Sequence, residues 1–165
     1  MEMNYFPLTI PVIGAAALLL PLNFQGSQTS DHPLLHDLID DYRITIAVSQ
    51  ACLDRNADSA LLTLCKTSSQ NLRAEAAQLE SWSEQWYQTQ VVEHRDLKKE
   101  PVVRAVLKAK SNKADSVIRE QLAKQYRVLL DRLAGCKQTA SHRQLTEFCK
   151  TEYVSIQGEI SRVIR

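Results

Sequence analysis

Hydrophobic residues recur at three- and four-residue spacing along two stretches in the first half of the chain. This spacing places them on one face of an α-helix and predicts two amphipathic helices. The polar segment DRNAD (54–58) separates the stretches, and Asp58 is suited to cap the second helix. The first unit, about 34–87, is therefore predicted to be a helical hairpin. Its hydrophobic-face positions are Leu35, Leu38, Ile39, Tyr42, Ile46, Ser49 and Leu53, then Leu61, Leu64, Ser68, Leu72, Ala76, Leu79, Trp82 and Trp86.

The second half of the chain shows the same pattern over about 118–165. Its apolar positions are Leu122, Tyr126, Leu130 and Leu133, then Leu145, Phe148, Cys149, Ile156, Ile160 and Val163. Between the units, EPVVRAVLKAK (about 100–110) predicts a short linker helix with Pro101 in its first turn. Two hairpins can bury their hydrophobic faces against each other. The predicted fold of residues 31–165 is therefore all-α, an antiparallel four-helix bundle.

An internal repeat relates the two units. A displacement of 84 residues aligns them without a gap, and nine of the 44 positions from 38 to 81 are then identical. Chance gives about two or three identities for such a composition. Two similar helices arising independently are the alternative, but the rare cysteines align as well, which favours a tandem duplication. The identical pairs are Leu38/Leu122, Tyr42/Tyr126, Arg43/Arg127, Cys52/Cys136, Leu61/Leu145, Cys65/Cys149, Lys66/Lys150, Thr67/Thr151 and Glu75/Glu159.

Each unit carries a Cys-x12-Cys pair across its predicted turn, Cys52 with Cys65 and Cys136 with Cys149. One cysteine lies about a turn before the loop and the other about two turns after it, so a disulfide can join the two helices near their tip. The even number of cysteines favours disulfides in an exported chain, and the repeat favours pairing within each unit. Free buried thiols and a metal site are the alternatives. No Cys-x-x-Cys or Cys-x-x-His pattern supports the metal site.

Residues 1–30 form a separate segment. Residues 5–24 carry no charge, and the apolar run Ile10–Leu22 has the length of a signal-peptide core. No basic flank precedes the run, and no clear A-x-A cleavage site follows it. We expect export to the periplasm, with residues 1–30 acting as a signal peptide or as a hydrophobic anchor helix with a tether. Cleavage and retention both stay open.

Charge is distributed unevenly along the 165 residues, although the formal net charge is only +1. Residues 31–94 hold ten acidic and four basic residues, and residues 95–137 hold twelve basic and five acidic residues. The favoured interpretation is two helical layers that attract each other. A basic surface for nucleic acid or anionic lipid is the alternative. Aromatic residues are not interleaved with the basic ones, so no nucleic-acid partner is expected.

The segments LLHDLIDDYRITIAVSQACLDR (34–55) and LCKTSSQNLRAEAAQLESWSEQW (64–86) resemble a bacterial exported family of unknown function. Members of that family are ferritin-like four-helix bundles built from two such hairpins. They carry Met-Ile-Pro-His-His-Gln in the first helix and Gln-x-x-Glu-Ile-x-x-Met-x-x-Trp in the second. The resemblance covers both units and implies the same fold here. The matching positions are Leu38, Ile39, Leu64, Glu75, Leu79, Trp82, Glu159 and Ile160.

The chain departs from the family where family members are suspected of binding metal. The family's His-His and Met positions are occupied here by Asp41, Tyr42, Gln125, Tyr126, Leu79 and Val163. The family's metal binding is therefore not carried over, and no cofactor or metal ligand is predicted. The histidines of this chain lie elsewhere and are interpreted as ordinary polar residues: His32, His36, His94 and His142.

One repeated polar set remains as a candidate site: Tyr42, Arg43 and Glu75, with their partners Tyr126, Arg127 and Glu159. Tyr42 lies on the hydrophobic face, so its buried hydroxyl would need a partner. Glu75 lies beside the inner face of its helix, and a Tyr–Glu hydrogen bond or an Arg–Glu pair would satisfy both groups. We interpret the set as a buried polar layer that fixes helix register, with a degenerate ligand site as the alternative. The Glu-x-x-His motif of di-iron bundles is absent.

These patterns predict a non-enzymatic protein of the cell envelope with a structural or protein-interaction role. A divergent metal-binding or metal-handling bundle with rewired ligands is the alternative. An enzyme is not supported, because the sequence contains no nucleophile–base set, glycine-rich phosphate loop or zinc motif. The expected partners are proteins and, through residues 5–24, a membrane.

Overall fold

The computed structural model describes residues 31–55, 57–91 and 96–164 of the chain. The described residues form helices and contain no β-strand, which confirms the all-helical prediction. The predicted hydrophobic helix and tether of residues 1–30 lie outside the described part. The helices are α1 (Asp31–Leu53), α2 (Ser59–Tyr87), α3 (Pro101–Lys108), α4 (Ala114–Thr139) and α5 (Arg143–Ile164).

The helices pack as a bundle around one hydrophobic core. Helix α1 packs on α2 and α4 packs on α5, while α1 and α4 bring the two pairs together. The short helix α3 lies where the sequence predicts a linker helix, and it packs against both α1 and α4. Each fully buried leucine contributes about 1.5–3 kcal/mol of burial free energy. The fully buried core includes Leu35, Leu38, Ile39, Leu79, Ile118, Leu122, Leu129, Leu133 and Leu145.

Two disulfides close the hairpins near their turns. Cys52 is bonded to Cys65 and Cys136 to Cys149, with Cα atoms 6.3 and 6.0 Å apart. These separations are ordinary for disulfides, and no cysteine is free. The pairing is the within-unit one that the repeat favours, so neither free thiols nor a cysteine metal site is present.

Long-range polar contacts fix the two hairpins against each other. Asp31, at the start of α1, accepts hydrogen bonds from the backbone N–H groups of Ser141 and His142 at 2.8 Å each, and so caps the start of α5. Arg132 of α4 pairs with Asp37 at 2.8 Å and with Asp41 at 3.1 Å, both on α1. At the α1–α4 contact, one basic residue of the second region therefore pairs with two acidic residues of the first.

Helix α2 begins as the sequence predicts. The side chain of Asp58 accepts a hydrogen bond from the backbone N–H of Ala60 at 2.7 Å. Within the described residues, no helix is both long and apolar enough to cross a membrane.

Candidate carboxylate–tyrosine site

Two tyrosines lie at the centre of the bundle. Tyr42 of α1 and Tyr126 of α4 are fully buried in the hydrophobic core. The hydroxyl of Tyr42 has no hydrogen-bond partner in the described part of the chain. Burial raises the pKa of both phenols, and the carboxylates of Glu152 and Glu75 raise the pKa of Tyr42 further. The phenols are therefore neutral and belong to a polar layer inside the core.

Two carboxyl groups meet beside Tyr42. Glu75 of α2 and Glu152 of α5 are close enough for each carboxyl to shift the pKa of the other. Burial and the nearby charge of Glu152 raise the pKa of Glu75 to about 8, while burial also raises the pKa of Glu152. Among the described residues, no Lys, Arg or His forms an ion pair with either carboxyl. The raised pKa means that Glu75 holds its proton near neutral pH.

The repeat partner of Glu75 is held in a different way. Oε2 of Glu159, on α5, accepts a hydrogen bond from Oγ of Ser68 at 3.3 Å. Its Oε1 accepts one from Nη1 of Arg162 at 2.7 Å, and Arg162 is largely exposed. Glu159 thus has a neutral hydrogen-bond donor, Ser68, and a positively charged partner, Arg162. Glu75 has no positively charged partner among the described residues.

The layer follows the internal repeat with one exception. Glu152 lies 84 residues after Ser68, so the two are repeat partners. Glu152 lies near Tyr42, the tyrosine of the first unit. Ser68 lies near Tyr126, the tyrosine of the second unit. The exception is that one unit places a carboxyl group where the other places a hydroxyl. The two units therefore differ in charge at this position.

A cleft of about 480 Å³ opens between α2 and α5 and reaches Glu152. Trp82 and Phe148 line it with their rings, whose centroids are 5.6 Å apart. Oε2 of Glu152 is buried and has no partner among the described residues. The cleft therefore joins the polar layer to the surface. Its other lining residues are Gln78, Arg143, Gln144, Glu147 and Thr151.

The predicted arginines do not belong to the buried layer. Arg43 turns to the outer side of the α1–α2 pair, where it contacts Glu80 at 2.8 Å and donates to the carbonyl oxygen of Val91 at 2.9 Å. Its repeat partner Arg127 is exposed. Each arginine follows a core tyrosine by one residue, and one residue is a rotation of about 100° around a helix. The expected Arg–Glu75 pair is therefore not formed.

A second cluster, made of histidines and aromatic residues, lies near the start of α1. The rings of His32 and His36 have centroids 4.8 Å apart, and His32 is also 4.8 Å from the ring of Tyr87. His142 stacks on Trp86 at 4.1 Å and bonds to Asp31. Three of the four histidines are therefore gathered at one end of the bundle. The fourth, His94, lies outside the described residues.

Comparison with known proteins supports the fold. No family model matches the chain, and no curated protein matches it. Among solved structures, the chain is similar to "CopM in the Cu(I)-bound form", with a TM-score of 0.69 and 15% sequence identity. The alignment covers 81% of this chain and 92% of that chain. Likeness at this identity shows a shared helical fold, and membership of the exported family stays a prediction.

The donor atoms of the polar layer do not fit Cu(I). That soft ion prefers thiolate, thioether and imidazole ligands. In the described part of the chain every cysteine is in a disulfide and no methionine occurs. The described residues also contain no group of three or more His, Cys, Asp and Glu side chains arranged to hold a metal ion. The carboxyl groups of the layer suit a cation that prefers oxygen, and only after the proton of Glu75 has left.

Proposed function

We propose that this protein is a metal-handling helical bundle that binds a divalent, oxygen-preferring cation such as Mn²⁺ at the carboxyl pair of Glu75 and Glu152. The observation that carries the proposal is the buried, unpartnered Oε2 of Glu152 beside the partly buried Glu75, with no positive partner for either carboxyl among the described residues. Oxygen ligands from carboxylates are those preferred by Mn²⁺, Mg²⁺ and Ca²⁺.

Charge balance is the physical reason for a cation. Two neighbouring carboxyl groups in a buried site do not both ionise, so one retains a proton near neutral pH. A divalent cation supplies the missing positive charge and displaces that proton, because carboxylates bind metals in the ionised form. The hydroxyl of Ser68 fills the equivalent place in the other unit. In this proposal, the carboxyl group of Glu152 serves as a ligand that the other unit does not provide.

The cleft provides a route for the ion. It runs from the surface along Trp82 and Phe148 to the side of Glu152, whose Oε2 lies buried just behind the lining. Glu159 is already bonded to Ser68 and Arg162, so water would complete the coordination at Glu75 and Glu152. The bound cation would hold the carboxylates of α2 and α5 together.

The proposed setting is the periplasm. Two disulfides support a location outside the reducing cytosol, and this agrees with the export expected from residues 1–30. The likeness to CopM, which was solved in a Cu(I)-bound form, supports the metal-handling class. We propose a different type of ion here because the donor atoms of the polar layer are oxygens.

The test is calorimetric titration of the full chain with Mn²⁺ in two buffers of different ionisation enthalpy. We expect one Mn²⁺ per chain at this site and release of about one proton. Glu152→Ser, which copies the arrangement around Ser68, should weaken binding by at least about tenfold. Glu84→Gln, an exposed change on the same helix, is the matched control and should bind as the wild type does. Equal binding by wild type and Glu152→Ser would overturn the proposal.

A structural or protein-interaction role is the second candidate function. The observation that favours it is the near-symmetry of the polar layer. Its polar groups lie between the two hairpins, where they can fix the register of the helices. Under this alternative Mn²⁺ does not bind, and Glu152→Ser changes only stability. Pull-down of a defined envelope protein by the full chain would then be the relevant assay.

A further inference from the structure

We infer that His32 and His36 form a second metal site, independent of the carboxylate layer, for a late first-row divalent cation such as Cu²⁺. The two residues lie four apart on α1 and therefore on one face of the helix. Their ring centroids are 4.8 Å apart. Histidines four residues apart can bind one metal ion with both imidazole rings, because they share one face of the helix.

One ring nitrogen of this pair has no competing hydrogen-bond partner among the described residues. Nε2 of His32 is buried and has no hydrogen-bond partner among the described residues. The neighbouring Tyr87 ring lies 4.8 Å away, and its hydroxyl is also buried without a partner there. His36 is partly exposed, so an ion can approach from solvent. A bound cation would satisfy the nitrogen that the fold leaves unpaired.

His142 differs from this pair because its ring is already held. Its Nδ1 lies 2.7 Å from Oδ2 of Asp31, and its ring stacks on Trp86 at an interplanar angle of 4°. His142 belongs to the cap of α5 and is not needed as a ligand. It therefore provides a matched control in the same cluster.

The donor type determines the class of ion. Neutral imidazole suits Cu²⁺, Zn²⁺ and Ni²⁺, and among divalent first-row ions Cu²⁺ binds a given nitrogen site most tightly. Water would complete the coordination of the two-imidazole site. The carboxylate layer offers oxygen atoms instead, so the two sites differ in preferred ion.

The test uses the fluorescence of the two tryptophans of the chain. Both belong to the cluster at this end of the bundle, since Trp86 stacks on Trp82 at 5.1 Å and its ring lies 6.4 Å from that of Tyr87. Tyr87 in turn contacts His32. Paramagnetic Cu²⁺ at the proposed site should therefore quench the emission of the full chain, saturating at one equivalent.

The variants separate this site from other copper-binding groups. His32→Gln and His36→Gln should each raise the Cu²⁺ concentration that gives half-maximal quenching by at least about tenfold. His142→Gln and Glu152→Ser should leave its midpoint unchanged, with circular dichroism and thermal melting used to verify folding. Unchanged quenching in both His32→Gln and His36→Gln, or an equal loss in His142→Gln, would overturn the inference. If Glu152→Ser loses Mn²⁺ binding but keeps the copper quenching, the two sites are independent of each other.

Discussion

Replacing Glu75 by glutamine tests the shared proton through the pH dependence of stability. Burial and the charge of Glu152 raise the pKa of Glu75 from its ordinary 4.5 to about 8. Below pH 4.5 the carboxyl is protonated in both folded and unfolded chains, so it imposes no penalty. As the pH rises toward 8, the unfolded chain releases this proton while the folded chain keeps it. The free energy of unfolding therefore falls across this range.

The magnitude follows from the size of the shift. Each unit of pKa difference corresponds to about 1.4 kcal/mol, so a fully buried group would cost about 3 kcal/mol at pH 7. Glu75 is only partly buried, and solvent screening reduces the cost to about 1–2 kcal/mol. Glu75→Gln keeps the size and a hydrogen-bond donor toward Glu152 but cannot ionise. We expect it to stabilise the protein by that amount at pH 7 and to have little effect at pH 4.

The assay is urea denaturation from pH 4 to pH 9 with disulfides intact and divalent cations removed by a chelator. The stability curve of wild type should fall between about pH 4.5 and 8, and that of Glu75→Gln should be flatter. Glu84→Gln, which replaces an exposed carboxyl on the same helix, should run parallel to wild type. Parallel curves for wild type and Glu75→Gln would refute the reasoning, because they would show that Glu75 ionises normally in the folded chain.

Three further predictions concern the fold. Tyr42→Phe removes a buried hydroxyl without a partner among the described residues, so it should leave stability unchanged or raise it by up to about 1 kcal/mol in urea denaturation. Asp31→Ala removes the cap of α5 and should lower the free energy of unfolding by about 1–3 kcal/mol, an effect that calorimetric melting can measure. Replacing both Cys136 and Cys149 by serine should cost about 2–4 kcal/mol, and a melting temperature equal to wild type would contradict this.

The hairpins and their disulfides could be predicted from the sequence because their signals are local or repeated. The three- and four-residue spacing locates the helix faces, and the alignment of Cys52 with Cys136 selects the pairing. Tyr42 and Tyr126 are buried as their positions on the hydrophobic faces predict. Arg43 and Arg127 each follow a core tyrosine by one residue, a rotation of about 100° that directs them to the outer side. The sequence therefore also contained the information that neither arginine belongs to the buried layer.

The role of Glu152 could not be found from the repeat, because its partner is Ser68 and the pair is not conservative. A signal was present in the spacing, since Glu152 lies three residues after Cys149 and four before Ile156 on the buried face of α5. The contact of Asp31 with the start of α5 had no sequence signal. It joins groups more than 100 residues apart, and only the packing of the two hairpins through α1 and α4 brings them together.

The most direct test of the carboxylate site is infrared difference spectroscopy of the full chain at pH 7 before and after addition of Mn²⁺. A protonated buried carboxyl has a carbonyl stretching band that is distinct from those of carboxylates and amides. We predict that wild type shows this band without metal, that Glu75→Gln lacks it, and that Mn²⁺ removes it from wild type as the proton is displaced. A wild-type spectrum without the band, or with a band that saturating Mn²⁺ leaves unchanged, would contradict the account.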